Sequence, residues 1–185
     1  MRALIFSLVL AVGTPLAASC PEPSDVRDEL RALVAEAKAA QSVTEGRRVA
    51  AAMWQVLLRA PDKAAQEALD AGMARREVFD FTGAIKHFDT LVTYCPTYAE
   101  GFNQRAFVNY LREDYAQALV DLDVALDLQP LHVGAQSGRA LTLMNLGRIA
   151  EARAQMLAAV ENNPWLSEAA LLGEGAPLGP QGEEL

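Results

Sequence analysis

Two cysteines, two histidines and a spread of carboxylates are the residues of this 185-residue chain that could do chemistry. Cys20 and Cys95 are each followed directly by proline. Two thiols are too few for a structural zinc site or a disulfide-dense scaffold; they can close one bridge, carry a modification or stay free. His87 and His132 show no ligand spacing, so both are expected at surface or boundary positions rather than on a metal. Asp121, Asp123 and Asp127 follow one helix surface and read as solvated side chains. No serine sits in a nucleophile elbow, and no glycine-rich loop of phosphate-binding type is present. Carboxylates, thiols and imidazoles therefore assemble into no catalytic set. The expectation is a protein that is not an enzyme and needs no cofactor and no metal.

The elements that carry these residues follow from composition. With 16 Lys+Arg against 24 Asp+Glu the formal charge is −8. An acidic chain lacks the basic face that displaces counterions from nucleic acid, and it is equally unsuited to an anionic membrane surface. Hydrophobic residues make up 51% and aromatics only 6%, with alanine abundant, which suits close-packed helices.

Residues 1–19 stand apart. Arg2 precedes the apolar run Ala3 to Val12, Gly13-Thr14-Pro15 breaks it, and Leu16-Ala17-Ala18-Ser19 offers small residues to a peptidase. This is the pattern of a secretory signal peptide, and the run is shorter than the roughly 20 apolar residues of a membrane span. Export to a periplasm is expected, with no membrane span after cleavage. Cys20 would then stand near the new N-terminus, where the sequence is similar to the lipobox of bacterial lipoproteins. The match is imperfect, because Leu16 is one place too early and Ala17 holds the usual leucine position. A lipid anchor at Cys20, and with it an outer-membrane lipoprotein, stays open as the alternative.

The rest of the chain repeats. Pro96, Pro130 and Pro164 recur every 34 residues, as do Ala50, Ala84, Ala118 and Ala152. Four residues after each alanine stands a large apolar group: Trp54, Phe88, Leu122 and Met156. A second small series is Gly72, Ala106 and Ala140, and Phe81, Tyr115 and Ile149 sit three before the last three alanines. Small residues at matching places let two antiparallel helices approach, and the large residue a turn later fills the space beside them. Each proline ends a second helix, having no N–H to donate and a ring that clashes with the preceding turn. One hairpin cannot bury its apolar face alone, so units stack on a shared core. Tyr115 and Leu122 are expected inside that core. Arg105 and Asp121 fall on facing helices of one unit and are expected to form a surface ion pair, with little effect on stability.

These residues resemble the tetratricopeptide repeat, a helix–turn–helix unit. Residues 65–98, 99–132 and 133–166 match in frame, the middle unit best, with Phe102, Ala106, Tyr115, Ala118, Leu122, Ala125 and Pro130 on signature places. The fold class expected is all-α, a solenoid of three such hairpins over 63–166. Residues 20–62 read as a degenerate helical hairpin covering the N-terminal end of the stack, its helices capped by Ser24 and Thr44 and the second stopped by Pro61. Residues 167–185 read as a short capping helix and an acidic tail, mobile after Gly173. The whole resembles small exported tetratricopeptide-repeat proteins of Gram-negative bacteria.

The resemblance implies a concave groove lined by the first helix of each unit. The positions it marks are Gln66, Leu69, Asp70, Met73 and Arg76, then Asn103, Gln104, Phe107 and Tyr110, then Ser137, Leu141, Met144 and Asn145. Some members grip a C-terminal carboxylate with a lysine- and arginine-rich clamp; here only Asn103 belongs to that set, and Leu69 and Met73 stand where the clamp is polar. The function implied is an exported adaptor that binds a protein or peptide in the groove. A lipoprotein scaffold for envelope assembly and an accessory subunit of an enzyme are the alternatives.

In an antiparallel hairpin the start of the first helix and the end of the second lie at one edge. Cys20 precedes the helix expected from Ser24, and Cys95 ends the helix before Pro96, so both thiols reach the same edge of the solenoid. Residues 20–23, extended at roughly 3.1 Å each, can cross a helix-to-helix distance of about 10 Å. A Cys20–Cys95 bridge is the expected outcome, with a lipidated Cys20 and two free thiols as the competing readings.

Overall fold

A computed structural model describes residues 19–180. The expected leader up to Ala18 and the last five residues lie outside the described residues. Eight α-helices run through the described part: α1 Arg27–Ala39, α2 Val43–Leu57, α3 Lys63–Glu77, α4 Phe81–Tyr94, α5 Ala99–Leu111, α6 Tyr115–Leu128, α7 Val133–Asn145 and α8 Ile149–Asn162. A short 3₁₀ segment, Ser167–Leu172, follows. The architecture is all-α, and α3–α4, α5–α6 and α7–α8 are three stacked hairpins.

Their boundaries repeat as the sequence does. Asp80 and Asp114 cap α4 and α6 by accepting from the backbone N–H groups of Gly83 and Gln117, satisfying donors that a helix start leaves orphaned. The residues just before them, Phe79 and Glu113, have φ of 61° and 62°, and the matching residue of the third unit is Gly147 at 74°. Only glycine enters this left-handed region without a Cβ clash. Phe79 is also 79% exposed, so its ring regains little by burial. Phe79→Gly is therefore expected to stabilise the protein by about 0.5–1 kcal/mol, after the greater freedom of an unfolded glycine is subtracted. A thermal midpoint at or below that of the parent would refute the strain at this turn.

Inside each hairpin the small and large series meet. Gly72 on α3 lies so close to the Phe88 ring of α4 that even a Cβ would collide with it. Phe88, Leu91, Leu69 and Ala84 are wholly buried around that contact. Between units, one arginine per step ties the second helices together. Arg105 donates to both oxygens of Asp121 at 2.9 and 2.7 Å, and to Asp89 of the preceding unit at 2.8 Å. One repeat later Arg139 donates to Asp123 at 2.7 Å and to the side-chain oxygen of Gln155 at 3.1 Å. The Arg105–Asp121 pair is not the surface pair the sequence suggests. The Asp121 side chain is only 2% exposed, because α6 and α5 close over it. Asp123 and Asp127 are exposed.

The terminal segments depart most from expectation. The α1–α2 hairpin does not stack on α3 as a fourth unit. It lies along the edge made by the turns that join successive units. Tyr98 in the first turn donates its hydroxyl to the Leu57 carbonyl at 2.9 Å. Leu131 of the second turn and Val133, the first residue of α7, pack with Leu30, Val49, Met53 and Val56. Past α8, Trp165 joins the same cluster and donates its indole N–H to the Ala37 carbonyl at 2.9 Å. The apolar stripe of α1 needed a partner, and these turns expose the apolar side chains that supply one. The helix starts also shift: α1 begins after Val26, with Asp25 rather than Ser24 accepting from the Arg27 N–H, and Ser42 rather than Thr44 caps α2.

Cys20 and Cys95 are joined in a disulfide with Cα atoms 5.1 Å apart, tying the segment before α1 to the end of α4 and so anchoring the α1–α2 hairpin, the strap along the edge of the repeats. The tail after Gly173 is not loose through residue 180. Leu178 is fully buried with Leu143, Ala152 and Met156, its N–H bonds the Leu171 carbonyl at 2.9 Å, and its carbonyl accepts from Arg153. The open apolar end of α7–α8 draws it in.

Candidate functional site

The first helices α3, α5 and α7 present their free faces side by side, and a pocket of about 200 Å³ opens between α5 and α7. Asn103, Gln104, Phe107 and Tyr110 reach it from α5, Ser137 and Leu141 from α7. Leu122 also lines it, which is where that core residue sits. Tyr115, by contrast, is only half-buried and meets Tyr110 edge-on at 5.4 Å, so it is not the core residue the register suggests. Phe107 is 45% exposed, a large apolar ring held open to solvent in the middle of the stack. Tyr110 is fixed through its hydroxyl, which accepts from the Asn145 side chain at 3.1 Å.

Other marked positions fall elsewhere. Leu69 is fully buried in the first core. Met73 packs on that same core and Met144 on the cluster of Leu143 and Met156, so neither lines the pocket. Arg76 joins the site from the side: its guanidinium stands over the Phe107 ring at 5.0 Å and donates to the Gln104 side-chain oxygen. Burial holds it below the usual arginine range, against the pull of Glu77 and Glu100.

Two residues of the wall had no signal as such. Trp54 reaches the pocket from α2, outside the repeats, and lies near Gly134 at the start of α7. In the repeat register it reads as a filler between two helices; its real place depends on where the strap lies. Glu168 reaches the pocket from the 3₁₀ segment.

Beneath the groove is a buried polar chain. His132, wholly buried, accepts the Ala135 N–H at Nδ1 (3.1 Å), which leaves the ring hydrogen on Nε2 to meet Glu100 Oε2 at 2.6 Å. Glu100 also accepts from the side-chain amides of Asn103 and Gln104. His132 is therefore neither at the surface nor at a boundary, because it caps α7 from inside. The helix-start position, otherwise empty of capping residues, was the available signal. Among the described residues no cluster of three His, Cys, Asp or Glu could hold a metal ion, and no helix is long and apolar enough to cross a membrane.

No family model matches the chain. It is 36% identical over 64 residues to a TPR repeat-containing protein of Rhizobium etli, which covers 35% of this chain and 31% of that one. It is also 36% identical over 78 residues to a tetratricopeptide repeat protein 36 homolog of Nematostella vectensis, covering 42% of each. The matches thus span well under half of these relatives. Among solved structures, the TPR2B domain of yeast Sti1 in complex with pHsp70 superposes with TM-score 0.55 at 23% identity, over 58% of this chain and 88% of that one. The first TPR of Spaghetti (RPAP3), bound to the HSP90 peptide SRMEEVD, gives 0.56 at 21%, over 57% and 84%. The OM64 TPR domain of Arabidopsis gives 0.57 at 20%, over 58% and 89%. Repeat register, hairpin stack and these likenesses agree on the fold: the chain is a tetratricopeptide-type solenoid of stacked helix hairpins.

Proposed function

We propose that this protein is an exported adaptor that binds another envelope protein, or a peptide segment of one, in the groove of its repeats, and that it acts by binding without catalysis. The observation that carries the reading is Phe107, an exposed ring flanked by Tyr110 and Leu141 over a ready-made pocket. Large aromatics in such places dominate the energetics of protein interfaces. Support also comes from two fold neighbours, one in complex with pHsp70 and one bound to an HSP90 peptide. For export, the support is the signal-like pattern of residues 1–19 and the Cys20–Cys95 bridge, a bond that persists in oxidising compartments. The bridge uses the sulfur that a lipid would need, which favours the unlipidated form.

A Phe107→Ala, Tyr110→Ala double variant is expected to lose at least tenfold in capture of its partner from an envelope extract, while its far-UV circular dichroism stays within a few per cent of the parent. Undiminished capture of the same partner by a folded double variant would sink the groove as the binding face.

A further inference from the structure

Resting on the groove reading, the geometry also says what kind of segment fits. The pocket holds about 200 Å³; an apolar cavity of roughly 150 Å³ already takes a benzene ring. Its apolar walls include the rings of Trp54, Phe107 and Tyr110 with Leu141, polar side chains such as Ser137 and Thr142 line the rest, and the apolar side suits one more planar group. Next to it stands a cation. Arg76 is half-buried against Phe107 and, among the described residues, has no carboxylate within ion-pair distance. Its one side-chain bond is to neutral Gln104. Glu100, beyond that glutamine, already accepts from His132, Asn103 and Gln104. A partly desolvated guanidinium keeps most of its fork unused, and a carboxylate is the group that completes it.

We infer that the groove takes an internal segment of a partner protein in which a Phe or Trp ring enters the pocket under Trp54 and the side-chain carboxylate of one nearby Asp or Glu settles on Arg76. The direction follows from charge. Arg76 belongs to the first unit, whereas Glu168 lines the pocket from the segment after the third, so the acid sits on the first-unit side of the ring. One acid fits better than an acidic run, because the chain as a whole carries −8. A side-chain carboxylate fits better than a chain terminus, since a single guanidinium is offered and the residue one turn earlier is Met73, packed on the core.

The test uses twelve-residue peptides, labelled with fluorescein at the N-terminus and amidated at the C-terminus, in a Gly/Ser/Gln frame. Each carries one Phe or Trp and one Glu, stepped through the positions on either side of the ring, and binding is read by fluorescence anisotropy. The best peptide is expected to bind at least tenfold more tightly than the same peptide with Gln for Glu or Ala for the ring. Arg76→Gln should erase the Glu-over-Gln preference and leave ring-dependent binding, and Trp54→Ala should weaken every ring-bearing peptide at least fivefold. Equal binding of Glu and Gln peptides, a preference that survives Arg76→Gln, or indifference to Trp54→Ala would each overturn the inference. So would a free-acid form of the Gln peptide, made for this comparison, binding more tightly than the amidated Glu peptide. In any of those cases, continued loss of partner capture by the Phe107→Ala, Tyr110→Ala variant leaves the groove reading standing, and retained capture removes both.

Discussion

Replacing Cys20 and Cys95 together by serine is expected to lower the stability of the folded chain by up to about 4.5 kcal/mol, the loop-entropy value for a bridge spanning 75 residues. At this chain length such a loss corresponds to roughly 10–18 °C in the thermal midpoint. The structure says where the loss falls. The bridge ties the segment before α1 to the end of α4, and beyond it the α1–α2 strap is held along the turn edge by the Leu30 and Met53 cluster, the Tyr98–Leu57 bond and the Trp165–Ala37 bond. Freed at its start, the strap should open before the repeats do. Amide exchange should therefore accelerate first in 27–57, and α5 and α6 should keep their protection until global unfolding. Trp54 travels with the strap, so the serine variant should also bind groove peptides more weakly. Thermal melting followed by far-UV circular dichroism, with and without reductant, measures the effect. A midpoint within about 2 °C of the oxidised parent would mean that the bridge adds nothing to a strap already held by its packing.

The three hairpins were legible because their signal is redundant. Pro96, Pro130 and Pro164 mark ends, Gly72, Ala106 and Ala140 mark close approaches, and each series fixes the register of the others. The cysteine pair was legible as a shared edge, since helix ends are where chain direction alone places residues. The course of the strap was not. The stripe Val26, Leu30, Leu33, Val34 and Ala37 states which face of α1 is buried but not against what. A last-unit partner such as Trp165 is 128 residues from the Ala37 carbonyl it bonds. The candidate site inherits the same limit. Asn103, Phe107, Tyr110, Ser137 and Leu141, the positions the tetratricopeptide resemblance marks, meet at one pocket, whereas Trp54, in register with Phe88 and Leu122, and Glu168 come from segments outside the three hairpins. Asp121 and Leu178 show a further reason: polarity and glycine content argue for exposure only until a specific partner, here Arg105 or the open end of α7–α8, makes burial favourable. Phe79 was readable in principle, standing in register with Gly147.

The polar chain under the groove carries the other large effect. Glu100 and His132 are 1% and 0% exposed, and the carboxyl keeps its place through bonds from His132, Gln104 and Asn103. Removing one member of a buried pair strands the other, at about 3–5 kcal/mol. His132→Leu should cost that much. Two causes are mixed in it, because His132 also caps α7 through the Ala135 N–H, and a lost cap alone costs about 0.5–2 kcal/mol. Two further variants separate them. Asparagine is a good capping residue but too short to reach Glu100 from this position, so His132→Asn should recover only the capping share. Glu100→Met combined with His132→Leu removes the stranded carboxyl and fills its space with apolar volume, so the double variant should be more stable than His132→Leu alone, although each change by itself is damaging. Urea unfolding followed by circular dichroism gives the three differences. If His132→Asn restores the parent midpoint, the histidine is a cap and the pair adds nothing. If the double variant is no more stable than the single, the loss comes from the emptied volume around His132 and not from a carboxyl left without its partner.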